Sequence, residues 1–428
     1  MLSRGRRFHV LRLYRSIWFL PTACAIGSVV VLAVAPILDQ FVPYHLLFLF
    51  EREALEEILS ILATSMLAVA IFSLGTMVSA LEASASAATP RARVLITQDR
   101  TAQRAISTFI GAFIFSILGI IGLSTGYYGD GGTACIFMIA ILIIVAVIVM
   151  LISWIRRLSQ IGGVREVVRL VEQATAAAFA GLAKNPLYGG RNATDVPSDL
   201  HPMSLDRHGY IQHIEGEALG ELSEALNADL YLVARPGYLV GPGVPILYSN
   251  VEMEGERLDR ITECFVTGNE RTFEEDPQFG ILALSEIASK ALSPAVNDPG
   301  TAIDVINAVV RIIRDCTPYF NGGEAEVRFP RLHVKPLQVE TVVADGFRWI
   351  ARDGAGYLEV ATKIQRALAD IRSVDPAMFG DCVADMSREA FERANSAMTL
   401  DRDIETLRRQ RAELGFPDDP APRPEATA

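Results

Sequence analysis

Apolar residues run without a single charge through four stretches of the chain, Ile17–Leu38, Ile58–Leu81, Ala105–Leu123 and Thr133–Trp154. At 1.5 Å per residue, a 22-residue stretch makes a helix roughly 33 Å long. The hydrocarbon core of a bilayer is about 30 Å thick, so the pattern predicts four transmembrane helices. Beyond the fourth, apolar positions at Ile161, Val164, Val167, Val168 and Val171 keep a helical period through to Leu182, with Gly162-Gly163 as the one weak point. Residues 185–206 lose that period and contain three prolines and the pair Gly189-Gly190, the signature of a linker. Short β runs follow at Gly209–Ile214, Asp229–Ala234, Tyr238–Val240 and Val244–Tyr248, punctuated by Gly and Pro, with a helix at Glu217–Asn227. They predict a small β sheet or partial barrel. Helices are expected at about 255–267, 277–292 and 299–316, a strand-like run at Val327–Leu337, and further helices to about residue 414.

The expected fold is therefore a membrane α-helical domain with four transmembrane helices, followed by a cytoplasmic α+β domain. Its parts are a membrane domain over 1–184 whose fourth helix extends into the cytoplasm, a linker over 185–206, the α+β domain over 207–416, and a disordered tail over 417–428. That tail is rich in Pro, Asp and Glu, a composition too polar to offset the entropy of ordering.

Composition agrees with the pattern. Hydrophobic residues make up 50% of the 428 and the mean hydropathy is +0.29, which excludes an ordinary soluble enzyme or a disulfide-stapled secreted domain. Charge then orients the helices. Arg4, Arg6, Arg7, Arg12 and Arg15 precede the first span, Arg91, Arg93, Arg100 and Arg104 lie between the second and third, and Arg156, Arg157, Arg165 and Arg169 follow the fourth. The two remaining loops hold one basic residue, Arg52, among six acidic ones. By the positive-inside rule both termini are cytoplasmic, and the expected location is the cell inner membrane. The first 154 residues carry 10 basic and 8 acidic side chains and the rest carry 29 and 42, so the chain's net charge of −11 resides in the tail domain. An acidic domain of this kind does not bind nucleic acid, which requires a basic face. The five cysteines form no CxxC pair and read as reduced structural thiols.

The inner half of the second span carries the most specific pattern. Gly75, Ser79, Ala83 and Ala87 recur every four residues, and so do Thr76, Ala80, Ser84 and Ala88. Rows of small residues let helix backbones approach closely, which drives association in lipid. They fit packing against another span of the same chain, or a symmetry axis between subunits that lines a pore. Ser79, Glu82 and Ser86 share one helical face, and a ring of Glu82 would favour cations. Arg91, Arg93, Arg100 and Arg104 fit contact with lipid headgroups, or a basic vestibule at the cytoplasmic mouth. In the tail domain Asn297, Asp298 and Thr301 lie at the join of two helices, where Asp298 suits an N-cap followed by Pro299. They make either a well-built helix corner or a binding loop. No metal-protease, phosphate-loop, dinucleotide or nucleophile-elbow motif occurs, and residues 209–250 contain no lysine on which a carrier group could be attached. No enzymatic activity, cofactor or metal is expected.

Phe72-Ser-Leu-Gly-Thr-Met-Val78, Thr89-Pro-Arg91, Asp99-Arg-Thr-Ala-Gln103 and Phe109-Ile-Gly-Ala-Phe113 resemble a family of bacterial predicted membrane proteins known as domain of unknown function 2254. Gly209-Tyr-Ile-Gln212, Asp276-Pro-Gln-Phe-Gly280 and Ala291-Leu-Ser-Pro-Ala-Val-Asn-Asp-Pro-Gly-Thr-Ala302 are similar to its cytoplasmic signatures. The resemblance runs to about residue 400 and implies four spans and a cytoplasmic domain. It implies no substrate, cofactor or catalytic residue. Glu82 stands where relatives tend to have Gln. Together these readings lead to a homo-oligomeric channel or channel-like pore, gated or filtered by its cytoplasmic domain. The alternative is a non-conducting sensor or scaffold whose tail domain binds a partner or ligand. The expected partners are the lipid bilayer and further copies of the chain, with ions or a cytoplasmic ligand beside them.

Overall fold

In the computed structural model the described residues are 19–38, 52–87, 89–92, 94–95, 100–158, 163–193, 195–320 and 327–416. The expected disordered tail over 417–428 and the basic cluster before the first span lie outside them. By internal contacts the chain divides between Glu166 and Val167 into two compact units.

The first unit contains helices α1 (Phe19–Leu38), α2 (Arg52–Ala87), α3 (Arg100–Ser124) and α4 (Asp130–Leu158). Three of them, over Arg52–Ala80, Thr101–Ser124 and Asp130–Leu158, are long and apolar enough to cross a membrane. The expected first span is present as α1, but its described apolar stretch, Pro21–Val34, is shorter than a crossing requires. α3 lies at the centre and packs on the other three helices. Small residues make that possible. A Cβ on Gly111 would stand 3.1 Å from Cys24 Cβ of α1, and one on Gly119 would stand 3.1 Å from the Leu59 side chain of α2. The Ser28 hydroxyl donates to the Gly111 carbonyl at 3.2 Å, and Tyr128 Oη donates to the Leu32 carbonyl at 3.3 Å, tying α1 to its neighbours.

α5 (Val164–Lys184) runs into the second unit, which starts at Val167; the expected continuity of the fourth span with it falls on residues 159–162, outside the described residues. α5 belongs with this unit because Val168, Val171, Thr175 and Phe179 are buried in it. Phe179 packs edge-on against Tyr319 and Phe320, and Arg311 clamps Glu172 with two bonds of 2.6 and 2.8 Å. The residues read as a linker are ordered into the sheet. After a 3-10 turn at Pro186–Gly189, β1 (Arg191–Asn192) and β2 (His201–Ser204) form its two edges.

Two small sheets follow from the expected β runs. β4 (Leu230–Leu232), β6 (Pro245–Ser249) and β8 (Leu332–Val334) join β1 and β2 in the order β1-β8-β4-β6-β2, parallel across β1-β8-β4 and antiparallel from there on. β3 (Gly209–Ile214) pairs antiparallel with both β5 (Leu239–Val240) and β7 (Phe265–Gly268). Strand alternation sorts the side chains. Leu230, Leu232, Leu332 and Val334 enter the core, and the ring of Tyr231 stacks on His333 of the adjoining strand at 4.3 Å. Helices α6 (Gly216–Ala225) and α7 (Glu256–Thr262) cover this region. The helix expected to 267 stops at Thr262, because Phe265 and the residues after it pair with β3. The expected strand over Val327–Leu337 shrinks to β8.

The remainder is a helical stack of α8 (Pro277–Ala291), α9 (Pro299–Phe320), α10 (Val339–Asp353), α11 (Leu358–Val374), α12 (Pro376–Ala397) and α13 (Asp401–Glu413). α13 is polar but held by a buried bond network, in which Arg411 Nε donates to Ser387 Oγ at 3.1 Å and Ser387 Oγ to Gln365 Oε1 at 2.6 Å. α5 meets α8 at Gly280, where an added Cβ would stand 1.9 Å from Thr175 Oγ1. Gly280→Ala should therefore lower stability by about 1–3 kcal/mol through overpacking. Thermal unfolding of the purified full chain checks this, and pairing the change with Thr175→Ala should recover part of the loss. A neutral Gly280→Ala would contradict the close contact.

Candidate functional site

The long helix α2 has two different faces. Leu55, Leu59, Leu62, Ala63, Met66, Ala70, Ser73 and Met77 are buried, following the helical period. Gly75, Ser79 and Glu82 are exposed and Thr76 is half-buried. No atom of the described residues lies within 4 Å of the point where a Gly75 Cβ would sit. The small residues α2 buries within the chain are Ala63, Ala70 and Ser73, and the described residues leave Gly75 and Ser79 uncovered. Around it Ile71, Phe72, Leu74 and Val78 are also exposed, which makes the face apolar with polar atoms set into it. Glu82 has no ion-pair partner among the described residues. The side chain of Ser86 lies outside the description, as do Arg93 and the side chain of Arg100. Arg91, on the turn Pro90–Ala92, and Arg104, on α3, are both exposed. The expected cluster of four arginines therefore falls in part outside the described residues.

The join of α8 and α9 is a helix corner whose geometry is fully accounted for. Asn297 adopts a left-handed backbone with φ 51°, a conformation that asparagine tolerates better than most residues. Its N–H donates to the Ser293 carbonyl at 2.9 Å and its Oδ1 accepts from Tyr357 Oη at 2.8 Å. Asp298 caps α9, accepting from the Thr301 N–H at 3.0 Å and from Thr301 Oγ1 at 2.6 Å. Those bonds, the hydroxyl's foremost, hold the Asp298 carboxyl below its usual range. Residues 294–298 are exposed.

A third place was not singled out from the sequence. A cavity of about 50 Å³ in the second unit is lined by Asn185 and by three polar-residue–proline pairs from separate parts of the chain: Arg235-Pro236, Asp276-Pro277 and Lys335-Pro336. Proline cannot continue a strand ladder, and it holds the residue before it extended, so each pair stands at the boundary of an element and leaves a stiff corner. Arg235 is set by the turn Arg235–Tyr238, closed by the Tyr238 N–H to the Arg235 carbonyl at 3.1 Å. Gly237 in that turn has φ 91°, and a Cβ there would strike Asp276 Oδ2. Asp276 is the N-cap of α8 and accepts two bonds from Arg271, at 2.7 and 3.0 Å. Burial still pushes its carboxyl above the usual range, with Arg271 opposing. Burial also raises the phenols of Tyr188 and Tyr319, which line the same cavity and stay protonated. The recurrence of polar-residue–proline pairs was the available sequence signal. Separation by as much as 100 residues hid it.

Cys264, read as a core residue, is buried and its thiol is pushed up to about 12, mainly by burial, which keeps it unreactive. Among the described residues no three His, Cys, Asp or Glu side chains are grouped to hold a metal.

Three apolar helices able to cross a membrane, followed in the chain by a second unit of helices and small sheets, are the architecture of a membrane protein. The chain belongs to the family described as predicted membrane protein DUF2254, whose model matches residues 14–370. It is similar to the uncharacterized proteins Mb1321c of Mycobacterium bovis and Rv1290c of Mycobacterium tuberculosis, each 25% identical over 339 residues. The match covers 72% of this chain and spans 61% of the length of those relatives. No solved structure matches.

The corner at Asp298 yields a direct expectation. Asp298→Ala should cost about 1 kcal/mol through loss of the cap, while Asp298→Asn should keep most of it. Because the folded carboxyl titrates below its unfolded value, the stabilisation is present above the ordinary carboxylate range and lost as pH falls through the lowered value. Thermal unfolding of both variants between pH 7 and strongly acid pH checks this. A penalty for Asp298→Ala that persists unchanged in acid would contradict the charged cap.

Proposed function

We propose that the chain is one subunit of a homo-oligomeric inner-membrane channel or channel-like pore. Copies of α2 surround a central axis, and the second unit gates or filters the path from the cytoplasmic side. The observation that carries this reading is the uncovered face of α2. Hydrocarbon offers no partner to Ser79 or Glu82, so in a bilayer that face is best served by another protein surface or by water. Small side chains suit a second copy, since they permit close backbone approach. Four spans with both termini inside fit the three basic clusters, with α1 as the first span. Glu82 near the inner mouth would favour cations, and Arg91, Arg93, Arg100 and Arg104 on the same side would collect anions, so the reading names no ion.

A non-conducting sensor or scaffold is the second reading. It is favoured by the exposed corner at residues 294–298, where Val296 is 49% exposed and free to meet a partner.

Ser79→Cys should crosslink between subunits in membranes, and Ser79→Leu should abolish single-channel conductance of the purified protein while the chain still inserts. A reporter fused at the C-terminus should be active in the cytoplasm. Crosslinks without any conductance would favour the scaffold reading, and an external C-terminus would overturn the proposed topology.

A further inference from the structure

One buried polar atom of the second unit, Arg235 Nε, is left without a hydrogen-bond partner among the described residues. The acids around it are already engaged. Asp276 is taken by Arg271 and by the Phe279 N–H at 3.0 Å, Glu275 lies 2.6 Å from His213 Nδ1, and Asp345 accepts from Gln278 at 2.6 Å. The Arg235 guanidinium lies 5.1 Å from the centre of the Tyr238 ring, a contact that gives its Nε–H no hydrogen-bond acceptor. Lys335, on the same cavity wall, has no ion-pair partner among the described residues either. A desolvated N–H on a charged group is costly to leave unpaired, and the Tyr238 ring and the nearby charges of Asp276 and Asp345 supply no hydrogen bond to it.

We infer that this cavity is a binding site for an oxyanion, the carboxylate or phosphate group of a small soluble molecule, held by Arg235 with Lys335 in support. Guanidinium N–H groups match the spacing of oxygens in carboxylate and phosphate, and the geometry is strongest where water is excluded. Size limits the occupant. One water requires about 10–15 Å³ of such space, so about 50 Å³ admits a compact group and not a bulky one. Another part of the cavity lining is also built at a cost. Leu187 and Tyr188 both have left-handed backbones, with φ 51° and 55°, and neither is glycine. Two adjacent strained residues persist only where their surroundings hold them, as ligand sites commonly do. The site does not depend on the pore reading. It would serve a sensor equally well.

The test uses the full chain in nanodiscs of zwitterionic lipid, with sodium phosphate, sodium acetate and sodium chloride as probes at matched ionic strength. Phosphate or acetate should raise the unfolding temperature saturably and chloride should not. Arg235→Gln should weaken that response at least tenfold, and Lys335→Gln only a few-fold. If Arg235→Gln does not fold, modification of wild-type Arg235 by phenylglyoxal decides, read by peptide mass, with phosphate expected to slow it several-fold. The inference is overturned if neither anion acts saturably, if Arg235→Gln responds like the wild type, or if phosphate leaves the modification rate unchanged. Water alone would then fill the cavity.

Discussion

Hydrocarbon gives a helix no hydrophobic reason to choose protein over lipid, so close backbone approach and polar contacts must hold a membrane unit together. In this chain α3 supplies that approach. Gly111 admits α1 and Gly119 admits α2, while α2 contributes its large residues, Leu55, Leu59 and Met66, to the same contact. That arrangement consumes one face of α2 and leaves the opposite face, with Gly75, Ser79 and Glu82, outside the packing. The functional reading follows from this division of labour between two helices.

The second unit obeys different physics, because water rewards its burial. α5 is bound to it by aromatic packing of Phe179, by the Glu172–Arg311 pair and by the tight fit of Thr175 on Gly280. Its polar interior is mostly closed on itself. Asp276 with Arg271, and Gln365 with Ser387 and Arg411, are saturated networks of the kind that stabilise a unique packing. Against that background Arg235 stands out, because its buried Nε has no hydrogen-bond partner among the described residues.

Much of the architecture was legible in the chain, and the exceptions have physical causes. Uncharged runs marked α2, α3 and α4, and periodicity marked α5, because burial in one medium leaves a simple pattern. Residues 185–206 read as a linker because β1 and β2 are two and four residues long, too short for alternation to show. Their pairing is decided by distant strands, β8 and β6. Phe265–Gly268 looked helical by continuity and became a strand through its partner β3. The rows of small residues on α2 were visible, whereas their exposure was not, because only packing within the chain determines which face of α2 is buried. The cavity at Arg235 was hidden for the same reason. Its walls are local in no segment.

The central claim is that the open face of α2 is covered by another copy of the chain. Native mass spectrometry of the protein released from nanodiscs reads this directly, as a multiple of the 46.7 kDa subunit. The account predicts a closed oligomer for the wild type and a shift toward monomer for Gly75→Leu, which would fill the space a neighbouring backbone needs. A wild-type monomer, or an oligomer unchanged by Gly75→Leu, would contradict it.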